Sequence, residues 1–134
     1  MKPIALITGC VDPAVEELLT SICELLPVLS LSDHPRQEIV VPGGCAQALL
    51  AVTPLHIDDA MLRYCRKLRV IACAFRIPEH IDVTACTRRG IWVTTVLTNC
   101  MGREAEIEAA RNILDVMSGD TPRGALNEVL QPAA

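Results

Sequence analysis

The stretch LRVIACAFRIPEHIDVTACTRRGIWVTTV, Leu68 to Val96, decides the fold class. It opens and closes on apolar runs, Arg69 to Phe75 and Ile91 to Val96, whose length and continuity suit strands covered on both faces. Between them Asp82 offers a helix start and Gly90 a helix stop, so Asp82 to Arg89 reads as a short helix. A strand, a helix and a second strand make a crossover unit, and such a unit joins parallel neighbours.

The alternation continues outward on both sides. Ile4 to Thr8 is a short apolar run closed by Gly9, and Asp12-Pro13 then supplies an N-cap and a first-turn proline for a helix to about Cys23. In it Val15, Leu18, Leu19 and Ile22 fall at i, i+3, i+4 and i+7, which makes one apolar stripe. Leu26 to Leu31 forms a second strand, Asp33 to Pro42 a short helix stopped by Pro42-Gly43-Gly44, and Ala48 to Thr53 a third strand ended by Pro54. Ile57 to Lys67 reads as a helix with Asp58 and Asp59 at its start, Arg63, Arg66 and Lys67 towards its end, and Met61, Leu62 and Cys65 inward. Beyond Gly102 a long amphipathic helix runs from Arg103 to about Ser118, with Ile107, Ala110, Ile113, Leu114 and Met117 on its buried stripe, Gly119 as its cap and Pro122 following. The last residues, from Arg123, form a short packed segment that frays at Pro132. The expected architecture is one α/β domain over residues 1–134, a flavodoxin-like, doubly wound, five-stranded parallel sheet in the order 2-1-3-4-5. The last helix is expected beside the first.

Composition narrows the function classes. Half of the 134 residues are hydrophobic (51%), yet no apolar run approaches the ~20 residues that cross a bilayer, and the run at Ile4 is too short for a secretory signal. No membrane partner is expected, and a cytoplasmic location is. Seven cysteines, an odd number lying mostly inside apolar segments, predict free buried thiols in a reducing compartment. No two have C-x-x-C spacing, so no metal site is expected. A net charge of -4 with one Trp, one Tyr and one Phe lacks the basic face and stacking aromatics of nucleic-acid binding. A phosphotransfer domain of the same topology needs carboxylates where Thr8-Gly9-Cys10 and Thr53-Pro54 stand.

Lys67-Leu68-Arg69-Val70-Ile71, then Ile81-Asp82, Ala85-Cys86, Arg89-Gly90-Ile91 and Val93-Thr94, resemble the D-2-hydroxyacid dehydrogenase family, and within it the phosphite dehydrogenases. The likeness extends to Ile4–Thr53, as the family's first three strands, and to EIEAARNILDVMSGDTPRGALN, Glu106 to Asn127, as its C-terminal helix and G-x-x-P…N ending. What it implies is the substrate-binding domain alone. The family inserts a nucleotide-binding domain after the fifth strand, with a G-x-G-x-x-G loop and the Arg, Glu and His of catalysis. Here Thr98-Asn99-Cys100-Met101-Gly102 joins residues 1–100 directly to 103–134. The resemblance thus predicts no catalytic residues and no NAD bound by this chain alone.

Residues 1–134 contain no G-x-G-x-x-G, and Gly43-Gly44 suits a turn. His34, His56 and His80 stand in separate loops. The family's substrate loop follows strand four, where this chain has Phe75-Arg76-Ile77-Pro78-Glu79-His80-Ile81-Asp82. Arg76 keeps the positive charge of the lysine found in the phosphite enzymes, and a guanidinium can grip a carboxylate or phosphorus oxyanion with two hydrogen bonds. Ile77 replaces a glycine and Pro78 removes an N–H. The candidate binding set is Arg76, Ile77, Thr53, Glu79 and His80, with a small acid or phosphorus oxyanion as ligand. A homo-oligomer is expected through the surface near Leu97 to Met101 and the start of the last helix, bare without the inserted domain.

Overall fold

The computed structural model describes residues 2–9, 11–27, 46–52, 56–76, 78–97 and 102–129. The far end of the strand expected over Leu26 to Leu31, the helix over Asp33 to Pro42 and the end of the tail fall outside these residues. So do Thr53, Ile77 and Cys10, Cys45 and Cys100.

Five strands, β1 (Ile4–Ile7), β2 (Glu24–Pro27), β3 (Ala46–Ala51), β4 (Val70–Cys73) and β5 (Trp92–Thr94), form one sheet in the order β2-β1-β3-β4-β5. Every neighbouring pair is parallel. Helices α1 (Pro13–Thr20), α2 (Asp59–Leu62), α3 (Val83–Arg88) and α4 (Arg103–Met117) complete the order. The side-chain period of two explains why both faces are covered. Leu6, Leu49, Ile71 and Val93 point to the side that packs Met61, Leu62, Ala85 and Cys86. Their neighbours Ala5, Ile7, Leu50, Val70, Ala72 and Trp92 point the other way, against Val15, Leu19, Ala109, Ala110 and Ile113 of α1 and α4. Each fully buried Leu or Ile contributes about 1.5 to 3 kcal/mol to this two-sided core.

The helix starts follow their caps. Asp12 accepts from Ala14 N–H (2.9 Å), Asp58 from Met61 N–H (3.0 Å) and Asp82 from Ala85 N–H (3.0 Å). Gly90, at φ 74°, ends α3: its N–H donates to Thr87 and that of Ile91 to Cys86, a paired closure that needs a left-handed residue. The helix expected over Ile57 to Lys67 is much shorter. Ile57 is taken up in a bridge to Ile81, and after Leu62 the N–H groups of Tyr64 and Cys65 turn back three residues to Met61 and Leu62. Cys65 and Leu68 are buried all the same. Strand β2 begins two residues earlier than the start expected at Leu26, because Glu24 N–H donates to Pro3 (2.8 Å) and sets the register Ile4 to Glu24.

The C-terminal segment does more than pack. Ala125 bridges Thr94 in the antiparallel sense, Thr95 N–H donates to Gly124 (2.9 Å) and Leu126 N–H to Val93 (2.8 Å). The Asn127 carboxamide stands in for a peptide group, accepting from Val93 N–H and donating to Ile91 C=O, both at 2.9 Å. The outer edge of β5, which would otherwise present unpaired backbone groups, is thereby closed. Buried Asn112 on α4 accepts from Gly124 N–H (3.1 Å) and ties the segment to the helix.

Candidate functional site

In an open α/β sheet ligands collect beyond the carboxyl ends of the strands, first of all where the winding reverses. Here that point lies between β1 and β3. Its described residues are already satisfied: Thr8 Oγ1 accepts from Val52 N–H (3.1 Å) and donates to Leu50 C=O (3.4 Å). Glu106 of α4 accepts the N–H of Asp12 (3.0 Å), and Arg103 Nε lies 3.7 Å from the Asp12 carboxylate. The amides at the start of α1 therefore already hold two carboxylates of the chain itself. A dinucleotide pyrophosphate needs free amides and a glycine turn at such a helix start. These residues do not fit NAD.

The next crevice is that between β3 and β4. Ala74 N–H donates to Ala51 (2.9 Å), which carries the pairing one step past the strand ends, and Phe75 packs on the core beneath. The chain then leaves the sheet with Arg76 exposed, Pro78 half-buried, and Glu79 and His80 exposed. Ile81 returns to the core, where it bridges Ile57: Ile57 N–H donates to His80 C=O (2.8 Å) and Asp82 N–H to Ile57 C=O (2.9 Å). Arg76, Glu79 and His80 thus share one loop on the carboxyl rim, as the sequence suggests. The other two candidates, Thr53 and Ile77, lie outside the described residues.

The sequence did not single out the bridge, and it brings in one more residue. His56, which precedes Ile57 as His80 precedes Ile81, faces His80 with ring centres 6.1 Å apart and 33° between planes. Its Nε2 stands 3.9 Å from Asp58 Oδ2. The available signal was the pair of His-Ile-Asp triplets, His56-Ile57-Asp58 and His80-Ile81-Asp82.

Two open pockets lie away from this rim. One, about 420 Å³, opens at the amino ends of β4 and β5 between Arg69, Trp92, Asp120, Asn127 and Glu128, where the Arg69 guanidinium donates to Val116 C=O (3.1 Å). The other, about 690 Å³, runs along α4 past Leu97, Ile107, Arg111, Asn112 and Arg123. Cys73 and Cys86 lie in the core under the rim, and burial pushes both thiols up to about 12, which leaves them protonated and unreactive at neutral pH.

The D-isomer specific 2-hydroxyacid dehydrogenase catalytic-domain family matches residues 5–100. Among solved structures, the PH0520 protein of Pyrococcus horikoshii is similar at 24% identity and a TM-score of 0.65, over 72% of this chain and 28% of that one. The TT0316 protein of Thermus thermophilus shares 26% identity at a TM-score of 0.60, over 70% and 30%. A D-3-phosphoglycerate dehydrogenase-like oxidoreductase of Ralstonia solanacearum aligns with 98% of this chain at 18% identity and a TM-score of 0.56, covering 43% of its own length. The chain therefore spans less than half the length of these structures. By the family match over most of its residues, it belongs to the D-isomer specific 2-hydroxyacid dehydrogenase family, through that family's catalytic domain.

Proposed function

We propose that this chain is a substrate-binding module that holds a small carboxylate or phosphorus oxyanion, such as phosphite, on the carboxyl rim of β3 and β4 without turning it over alone. Residues 1–100 and 103–134 act as the two halves of that domain, joined directly. The observation that carries this reading is the loop Arg76 to His80, an exposed cation at the strand ends of a domain that belongs to a dehydrogenase family. Hydride transfer needs a nicotinamide and a proton-moving residue held against the substrate carbon. Residues 1–134 offer no glycine-rich phosphate loop, and the start of α1 already carries the Asp12 and Glu106 carboxylates.

Calorimetric titration with phosphite and with a 2-hydroxy acid tests the proposal. Arg76→Ala removes a charge-assisted pair worth about 1.5 to 3 kcal/mol, so affinity falls tenfold or more while the melting temperature hardly moves. An affinity indifferent to Arg76→Ala would remove the arginine from the site. The same cell titrated with NADH is expected to stay silent; binding tighter than about 100 μM would instead establish a nucleotide site.

The match to the family's catalytic domain favours a second reading, in which it works as part of an NAD-dependent D-2-hydroxyacid or phosphite dehydrogenase together with a nucleotide-binding domain. Either reading leaves one surface to cover. Leu97 is 63% exposed beside the half-buried Ile107 and Leu114 of α4. We propose self-association through this face, and light scattering is expected to give a dimer or larger at high micromolar concentration. A monomer there would refute it.

A further inference from the structure

We propose that His56 and His80 form an open two-imidazole site for a borderline divalent transition-metal ion, of which Ni²⁺ is a convenient representative. The pair is held by the backbone. The bridge from Ile57 to Ile81, with its 2.8 and 2.9 Å hydrogen bonds, fixes the residue before each isoleucine beside its counterpart, and both isoleucines are anchored in the core. An imidazole nitrogen binds such ions at about 2.0 to 2.1 Å, which puts the centres of two rings sharing one ion roughly 5 to 6 Å apart. The observed separation of 6.1 Å is at the outer end of that range, and both side chains are exposed, so a small rotation of either ring closes it.

The surrounding charge bears on the strength of the site. Asp58 Oδ2, 3.9 Å from His56 Nε2, draws a cation towards the pair and can orient the His56 ring, as carboxylates do behind ligating histidines. Glu79 adds a second negative charge beside His80, and Arg76 opposes from the same loop. Among the described residues no group of three or more His, Cys, Asp or Glu side chains could hold a metal ion. Water therefore completes the coordination shell. Imidazole suits Ni²⁺, Cu²⁺ and Zn²⁺, whereas the described cysteines are buried, and burial raises the thiols of all four, so none is a ready thiolate ligand.

The test uses untagged chain with its thiols kept reduced, titrated with NiCl₂ in a calorimeter at pH 7.5. The expected result is one ion per chain with a dissociation constant on the order of 0.1 mM, weakened at least tenfold in His56→Ala and in His80→Ala, with little further loss in the double variant. Both substitutions are at exposed side chains, and circular dichroism checks that each variant folds. In imidazole ¹⁵N spectra, both rings are expected to broaden together as Ni²⁺ is added. No saturable binding up to about 1 mM, or binding that survives the double substitution, would overturn the proposal. The readout does not depend on any oxyanion at Arg76, so it stands or falls separately from the proposed function.

Discussion

Gly124→Ala is expected to destabilise the protein by about 3 kcal/mol or more, a large share of the roughly 5 to 15 kcal/mol that a domain of this kind commands. A Cβ at this position would lie 2.1 Å from the carbonyl oxygen of Thr95 and 2.8 Å from Asn112 Nδ2. The first neighbour is backbone and cannot rotate away. To make room, the segment must withdraw from β5, and that withdrawal breaks the bond from Thr95 N–H to Gly124 and the bond from Gly124 N–H to Asn112. Asn112 is 2% exposed, so its Oδ1 would be left unpaired in the core, with the desolvation cost that entails. Urea unfolding checks this: the midpoint should fall sharply. Gly119→Ala makes a useful comparison, because a Cβ added there would meet nothing within 4 Å and only the φ of 85° opposes it. Equal midpoints for Gly124→Ala and the unsubstituted chain would mean that the closure of the β5 edge contributes little.

Much of this architecture could be read in the residues. The runs IALI, ALLA and VIAC are continuous rather than alternating, which is the mark of strands covered on both sides, and Asp12, Asp58 and Asp82 each announce a helix start. The strand order followed from the handedness of the crossovers. What escaped the reading were long-range pairings without a local pattern. Gly124 and Asn127 look like turn residues until β5 is placed beside them, and then each meets a specific backbone need. The candidate site was half legible for the same reason. A charge at Arg76 can be seen in the chain, but the meeting of His56 with His80 depends on a bridge between two loops 24 residues apart.

The buried thiols lead to the second large effect: stability should fall steeply between pH 9 and 12. Cys73 and Cys86 have an ordinary value of 9.0, raised to about 12 first by desolvation, and then for Cys73 by the neighbouring Cys86 and for Cys86 by Asp82, which Arg89 partly opposes. A group whose folded value exceeds its unfolded one stabilises the fold fully below the unfolded value. As pH rises past 9 the unfolded chain releases these protons while the native state keeps them, and each thiol then removes about 1.4 kcal/mol of stability per pH unit until the folded value is reached. Two thiols together would cost roughly 4 kcal/mol by about pH 10.5, on the scale of the domain's whole stability. Urea midpoints measured at about pH 8, 9.5 and 10.5 follow the effect, and Cys86→Ala should remove that thiol's share of the slope while Cys73, Cys23 and Cys65, also raised by burial, keep theirs, because alanine has no proton to lose. At about pH 8 iodoacetamide should label neither Cys73 nor Cys86 until urea unfolds the chain, since thiols held protonated in the core are poor nucleophiles. A midpoint that stays level across that pH series, or rapid labelling of the native protein, would show that water reaches these thiols and that the core under the rim is open.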